Sequence, residues 1–267
     1  MSRPLIESSE PECEHTMKLT IRIRPSAEEM TQEISRSVTD ILKETLRSHR
    51  RASIFLAGGS TPRPVYEALA EGAGQALPWE RIDLFWGDER WVAPDDTRSN
   101  QRMAREALVD RVPVPSGNVF PMPTDGTPGD AALRYERLLR GRFPGSESVP
   151  DIILLGLGPE GHTASLFPHS PALRDLDRWV RDVWVEAEPP QRLTLTLPFI
   201  LRARHVLFMV AGAKKAPVVR QILIEEAAAA QCPAAGVRPP NGEVTWWLDE
   251  AATSELPRFL RPNEQER

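Results

Sequence analysis

The sequence predicts an α/β fold: a modified doubly wound, mainly parallel sheet flanked by helices, in a single domain. Short apolar runs recur along the chain, and a glycine-containing turn follows each of the longer ones. Such runs are typical of buried parallel strands, whose loops gather at one edge of the sheet. The chain has 267 residues, 40% of them hydrophobic, which is enough for one large core. We therefore expect a functional site where these strands end.

The predicted elements follow in chain order. Residues 19–24 alternate apolar and polar side chains, as an edge strand does, and helical spacing of apolar residues continues from Pro25 to about Ser48. Further strands are predicted at 52–57, 82–86, 151–155 and 205–211, with helices from 64 and from 213 to about Ala230.

Residues 1–17 are polar and lack periodicity, so we expect a flexible N-terminal extension before a domain spanning 18–260. The extension lacks the apolar run of a signal peptide, and no apolar stretch reaches membrane-spanning length. The two cysteines, Cys13 and Cys232, offer neither a disulfide framework nor a paired metal motif. A cytoplasmic protein is predicted.

The net charge is -5, from 33 basic and 38 acidic residues. That balance provides no overall cationic field for a nucleic acid, and no segment suggests membrane association. We expect a small-molecule partner, while the sequence leaves the oligomeric state open.

The turn Gly58-Gly59-Ser60-Thr61 follows the strand at 52–57 and precedes a helix. Glycines allow a phosphate to approach the backbone, and the helix N-terminus and the two hydroxyls add donors. An ordinary strand-to-helix turn, with Ser60 or Thr61 as N-cap, explains the pattern equally well. The spacing matches no nucleotide-binding loop, so no nucleotide cofactor is predicted.

A second glycine-rich turn, at 156–162, brings Glu160 close to His162. The histidine suits a general base, because its ordinary pKa lies near neutrality and a carboxylate can fix its tautomer. A loop histidine with a structural or solvated role is the alternative. Since no other histidine stands at metal-ligand spacing from His162, we predict no metal site.

Charged residues follow two other strands. Asp88 and Arg90 come directly after the strand at 82–86, where they either contact substrate or form a solvated ion-pair turn. Arg98 stands just before a predicted helix start and is placed to reach the same cleft. Lys214, with its neighbour Lys215, opens the last long helix, where the helix dipole disfavours cations unless they serve a ligand.

Together these segments closely resemble the 6-phosphogluconolactonase family. The resemblance rests on LAGGSTPRPVYEAL at 56–69, DLFWGDERWVAPDDTRSN at 83–100, PDIILLGLGPEGHTASLFP at 150–168 and VAGAKKAPVV at 210–219. Each motif alone is weak, but their shared order over residues 18–255 is specific. The resemblance implies the fold shared by glucosamine-6-phosphate isomerases and 6-phosphogluconolactonases, without a cofactor, and the second step of the oxidative pentose phosphate pathway.

The implied reaction is hydrolysis of 6-phospho-D-glucono-1,5-lactone to 6-phospho-D-gluconate. Gly59, Ser60 and Thr61 would hold the phosphate, with Arg90 or Lys214 supplying charge. His162 would take a proton from the attacking water while Glu160, where the family usually has aspartate, orients the imidazole. Gly58, Asp88 and Arg98 complete the predicted substrate-binding set.

Three alternatives bear on the same residues. Glucosamine-6-phosphate deaminases continue from this histidine turn with an Asn-Glu-Pro whose glutamate assists ring opening, whereas this chain has Leu166-Phe167-Pro168. A silent sugar-phosphate-binding regulatory module would need an added DNA-binding segment, for which residues 1–17 are too short. Ser165 beside His162 suggests a serine hydrolase, but the G-x-S-x-G motif is absent.

Overall fold

A computed structural model of the protein describes residues 18–225, 227–257 and 260. The predicted extension at 1–17 lies outside these residues. The strands are β1 (Lys18–Arg24), β2 (Ala52–Leu56), β3 (Ile82–Trp86), β4 (Asp88–Arg90), β5 (Val119–Phe120), β6 (Ile152–Gly156), β7 (Val180–Trp184), β8 (Gln191–Leu195), β9 (His205–Val210) and β10 (Glu243–Asp249). The helices are α1 (Ala27–Ser48), α2 (Pro62–Glu71), α3 (Asn100–Ala107), α4 (Pro128–Arg142), α5 (Leu197–Ile200) and α6 (Ala216–Leu223), joined in places by short 3-10 turns.

The main sheet has seven strands in the order β1-β10-β9-β6-β2-β3-β5, and its neighbouring strands run parallel. From its centre the chain runs outward to one side through β2, β3 and β5, and then to the other side through β6, β9 and β10, beyond which the first strand, β1, forms the edge. This doubly wound order confirms the predicted fold class, and it places β1 at an edge as expected. The direction changes between β2 and β6, which is where α/β sheets commonly bind ligands.

The core lies on both faces of this sheet. Every residue of β2 and β3 is buried, and the rings of Phe55 and Phe85 stack with their centroids 4.7 Å apart. Helix α1 covers one face with apolar positions that its sequence spacing predicts, including Ile34, Val38 and Leu42. Ser26 caps that helix by accepting a hydrogen bond from the Glu29 N–H. This packed core holds the carboxyl ends of the strands in place, where the site is expected.

A second, three-stranded antiparallel sheet, in the order β4-β8-β7, was not predicted. Gly87 joins the two sheets: its N–H donates to the Leu56 carbonyl in β2, and its carbonyl accepts from the Leu195 N–H in β8, both at 2.9 Å. The alternative of a solvated ion-pair turn at 88–90 is therefore wrong, because this segment pairs with β8, and Asp88 and Glu89 are buried.

The predicted helix reaching about Ala230 is also wrong in its extent, since α6 ends at Leu223. The alanines at 227–230 favour a helix only weakly, and tertiary contacts outweigh that preference. Ala230 accepts a hydrogen bond from the His169 N–H, and the Ala234 N–H donates to Gly161. This segment thus packs against the second glycine turn. Within the described part of the chain, no helix is long and apolar enough to cross a membrane.

Candidate active site

A cleft of about 300 Å³ opens at the carboxyl ends of β2, β3, β6 and β9. It lies at the point where the strand order changes direction, as the fold predicts. Seven of the residues expected in the site line it: Gly58, Gly59, Ser60, Thr61, Asp88, Arg90 and His162. Asn100 and Arg192, which the sequence analysis did not select, line it too, as does Lys215, which it named only as the neighbour of Lys214.

The first glycine turn brings the N-terminus of α2 to the cleft. Thr61 occupies the N-cap position, but its side chain makes no capping hydrogen bond. The Thr61 hydroxyl is therefore available to an anion, which favours the phosphate cradle over the ordinary capped turn. Few helix N–H groups add to it, because Pro62 and Pro64 in the first turn have none. Gly58 is needed because a Cβ there would lie 1.8 Å from Oδ1 of Asn100.

The second glycine turn positions His162. Its Nδ1 lies 3.0 Å from Oε1 of Glu160, so the longer carboxylate does reach the imidazole. The approach is off the line of a hydrogen bond, and Nδ1 has no aligned acceptor among the described residues. Burial lowers the pKa of His162, and the neighbouring Glu160 carboxylate opposes this shift in part. Burial therefore favours the neutral imidazole, which is the form that can accept a proton.

Asp88 is fixed within a buried hydrogen-bond network. Its Oδ2 accepts from the Ser165 hydroxyl at 2.6 Å, and its Oδ1 accepts from the Asn100 amide at 3.1 Å. Ser165 is completely buried and directs its hydroxyl to Asp88 rather than to His162. This geometry gives Ser165 a structural role, because its hydroxyl lacks the hydrogen bond to His162 that would activate it as a nucleophile.

Glu89, next to Asp88, faces away from the cleft and holds the start of α3. Its carboxylate accepts hydrogen bonds from the N–H groups of Arg90, Asn100 and Gln101, each at 2.7 Å. Burial raises the pKa of Glu89, while these N–H donors favour the charged form. Asn100, whose amide reaches both Asp88 and the first glycine turn, is thereby fixed in place.

Three cations face the cleft: Arg90, Arg192 and Lys215. Arg90 and Arg192 are direct cross-strand partners in the second sheet, so their side chains share one face. Arg192 is only 6% exposed, and its Nε donates to the Pro189 carbonyl at 3.0 Å. Among the described residues, none of the three cations forms an ion pair with a carboxylate within 4.0 Å. Their charge is thus available to an anionic ligand.

Two predicted binding residues lie outside the cleft lining. The Arg98 guanidinium pairs with Asp96 at 2.7 Å, because both lie in the turn that the Ser99 N–H closes on the Asp96 carbonyl. Only the Arg98 carbonyl serves the site, by accepting a hydrogen bond from Arg90. Lys214 is exposed on the 3-10 turn before α6, and the turn directs Lys215 into the cleft instead.

Arg192 was missed because nothing near it in sequence marks a site. Its only signal is its pairing with Arg90, which requires knowledge of the second sheet. No group of three or more His, Cys, Asp or Glu side chains in the described ranges is arranged to hold a metal ion.

Comparison with known proteins identifies the family. Residues 25–246 match the sequence profile described as glucosamine-6-phosphate isomerases/6-phosphogluconolactonase. The 6-phosphogluconolactonase of Nostoc sp. is 42% identical over 90% of this chain and 99% of its own length. That of Synechocystis sp. is 46% identical over 82% of this chain and 90% of its own length.

Solved structures agree with the sequence comparison. The 6-phosphogluconolactonase of Thermotoga maritima superposes with a TM-score of 0.77 at 31% identity, covering 87% of this chain and all (100%) of its own. A monomeric glucosamine-6-phosphate deaminase has a TM-score of 0.76 at 22% identity, covering 88% of this chain and 99% of its own, which shows a shared fold only. The chain therefore belongs to the family of glucosamine-6-phosphate isomerases and 6-phosphogluconolactonases.

Proposed function

We propose that this protein hydrolyses 6-phospho-D-glucono-1,5-lactone to 6-phospho-D-gluconate, as the second step of the oxidative pentose phosphate pathway in the cytoplasm. One observation carries the proposal: His162, with Glu160 beside its Nδ1, lies in the same cleft as three cations that form no ion pair within 4.0 Å with a carboxylate of the described residues. Such a cleft suits an anionic substrate that needs a general base. The names of the related proteins support the same substrate.

The phosphate is assigned to the cationic part of the cleft. Donors from Ser60 and Thr61 at the start of α2 face the same space as Arg192 and Lys215. Charged hydrogen bonds from arginine to phosphate are short and directional, so they fix the position of the substrate. Arg98 and Lys214 are left out of this assignment, because their side chains lie outside the cleft lining.

The base is His162, acting through its Nε2 because Nδ1 lies beside Glu160. Water attacks the C1 carbonyl of the lactone and gives a proton to Nε2, and the carbonyl oxygen becomes an oxyanion. The C1–O5 bond then breaks, and the imidazolium returns its proton to O5. Glu160 stabilises the imidazolium between these steps, and nearby cations stabilise the oxyanion.

Neither a metal nor a covalent intermediate is required in this scheme. A lactone is an activated ester, so the scheme needs only positioning, a base and charge stabilisation. The carboxylic acid formed at C1 is ionised at neutral pH, so one proton is released for each ring opened.

Deaminase activity is not favoured. The position that holds the ring-opening glutamate in deaminases is Phe167 here, and a phenyl ring transfers no proton. A purely binding role is not favoured either, since it gives no reason for a neutral imidazole paired with Glu160 in the cleft.

The test is proton release from freshly generated 6-phosphoglucono-δ-lactone, corrected for spontaneous hydrolysis. Unphosphorylated gluconolactone and glucosamine 6-phosphate serve as parallel substrates. We expect rapid acid release from the phosphorylated lactone alone. Ammonia release from glucosamine 6-phosphate without lactone hydrolysis would replace this proposal with the deaminase alternative.

A further inference from the structure

The ring of Phe167 lies flat against the imidazole of His162. The ring centroids are 4.0 Å apart and the planes differ by 17°. A stacked contact this close covers one face of the imidazole and limits its rotation. The reaction scheme above uses His162 and Glu160 but gives this ring no part.

A tight turn produces the stacking. The Leu166 N–H donates to the Thr163 carbonyl at 2.9 Å, and the Thr163 N–H donates back to Leu166 at 3.3 Å. This pairing folds the chain back on itself, so that the residue after the turn stands over the residue before it. Thr163 and Leu166 are fully buried, which keeps the turn fixed.

Gly158 leaves the space that the imidazole occupies. A Cβ at Gly158 would lie 2.0 Å from Nδ1 and 2.3 Å from Cε1 of His162. The imidazole thus fits between the glycine backbone, the Glu160 carboxylate and the phenyl ring. Of these three neighbours, Phe167 is the one whose ring stacks on the imidazole.

The same phenyl ring also contacts the cationic part of the cleft. The Arg192 guanidinium carbon lies over it, 5.7 Å from the ring centroid. Phe167 therefore touches both the base and a cation assigned to the phosphate. Its contact with Arg192 is the weaker of the two, since 5.7 Å is near the limit for a cation–π interaction.

We infer that Phe167 is a positioning residue for the reaction: it fixes the plane of the His162 imidazole and keeps water from one of its faces. This inference rests on the proposed function, because it assigns Phe167 a role through the general base. A general base works best when its acceptor nitrogen is aimed at the water proton and its neutral form predominates.

Charged groups face His162 from three directions: Glu160 from its own turn, Asp88 from β4 and Arg192 from β8. The two carboxylates favour the imidazolium and the guanidinium opposes it. Phe167 has no charge, so its replacement changes the pKa of His162 through hydration and orientation. Removing the phenyl ring admits water and is expected to raise that pKa towards its ordinary value.

The test compares Phe167→Leu, Phe167→Tyr and Phe120→Leu. Phe120 is a matched control, because it also stacks on a ring, Phe85 at 4.9 Å, and also lies under an arginine, Arg142 at 4.2 Å. For Phe167→Leu we expect kcat to fall by about 10- to 100-fold with a smaller change in KM, since misplacing a catalytic group by about 1 Å costs rate of that order. Phe167→Tyr keeps the ring and should stay near wild type.

Two readouts separate positioning from a merely structural role. In the profile of rate against pH, activity falls on the acid side as His162 is protonated. This acid limb should move to higher pH in Phe167→Leu and should stay in place in Phe120→Leu. The NMR titration of the His162 Cε1 proton, assigned by its loss in His162→Asn, should show the same rise in pKa without depending on activity. If the leucine variant does not fold, Phe167→Met tests the same point with similar apolar volume.

Phe167→Leu with wild-type kcat and an unmoved acid limb would overturn the inference. Lower activity with an unchanged His162 titration would overturn it too, because the effect would then be structural. If His162→Asn keeps full activity, the general-base role fails, and the NMR titration still reports whether Phe167 controls the imidazole.

Discussion

Arg90 and Arg192 lie directly opposite each other on the neighbouring antiparallel strands β4 and β8. Like charges in such a pair destabilise a sheet, and burial removes the water that would screen them. Burial lowers the pKa of Arg192, and the charge of Arg90 adds to this shift while the Asp88 carboxylate opposes it. An anion between the two guanidinium groups relieves this repulsion.

Replacing Arg192 with methionine is therefore expected to weaken substrate binding. A hydrogen bond to a charged group contributes about 1.5 to 3 kcal/mol, so KM for the phosphorylated lactone should rise by about 10- to 100-fold. The product 6-phosphogluconate should raise the Tm of the wild type more than that of the variant.

The control for that experiment is Arg137→Met, which removes an exposed arginine from α4. It should leave KM and the ligand-induced shift in Tm unchanged. A wild-type KM in Arg192→Met would show that the phosphate lies elsewhere in the cleft.

The two adjacent lysines provide a second matched pair. Lys215 lines the cleft while Lys214 points to solvent. Lys215→Ala should raise KM by about tenfold, in line with the loss of one charged contact, whereas Lys214→Ala should not. Steady-state kinetics on both variants checks this. The reverse order of effects would mean that the turn before α6 rearranges when substrate binds.

The pH dependence follows from the lowered pKa of His162. Neutral imidazole is the active form, so activity should persist below the ordinary value of about 6.5 and be lost as the pH falls through the lowered pKa. Initial rates between about pH 5 and pH 8 measure this limb.

The Glu160 carboxylate raises the pKa of His162, so its removal should lower that pKa, whereas a loss of burial would raise it. In Glu160→Gln the acid limb should shift to lower pH, and kcat should fall by about tenfold or more because the imidazolium loses its stabilising charge. Glu160→Asp keeps the charge and should lie closer to the wild type. An acid limb that moves to higher pH in Glu160→Gln would contradict this account.

Ser165 is expected to be dispensable for chemistry. Its hydroxyl donates to Asp88, and its replacement by alanine leaves that carboxylate with one donor fewer. A lost buried hydrogen bond of this kind costs about 1 to 3 kcal/mol of stability. We expect Ser165→Ala to show a lower Tm but to keep more than about a tenth of wild-type kcat, as full loss is expected only for a nucleophile. A covalent acyl-enzyme trapped on Ser165 would contradict this.

The large sheet could be predicted from the sequence because its strands are nearly all apolar. The runs ending at Leu56, Trp86 and Val210 stand out against the polar turns that follow them. The second sheet could not be predicted in this way, since β4 consists of Asp88, Glu89 and Arg90, whose burial depends on pairing with β8. Charged residues are buried in strands only where tertiary contacts offset their desolvation.

The same limit applies to the candidate site. Ser60, Thr61 and His162 lie in glycine-rich turns that follow apolar strands, and this local pattern marked them as candidates. Arg192 and Asn100 reach the cleft from other elements, so the sequence contained no local signal for them. The choice between Lys214 and Lys215 depends on the turn before α6, which sequence spacing does not determine.

The most direct measurement is lactonase activity in His162→Asn beside His169→Asn. His169 is exposed and has a left-handed backbone conformation, φ 61°, which asparagine tolerates. We expect proton release from the phosphorylated lactone to fall by about 10²- to 10⁴-fold in His162→Asn, with nearly unchanged KM, and to stay at the wild-type rate in His169→Asn. Wild-type activity in His162→Asn would contradict the assignment of His162 as the general base.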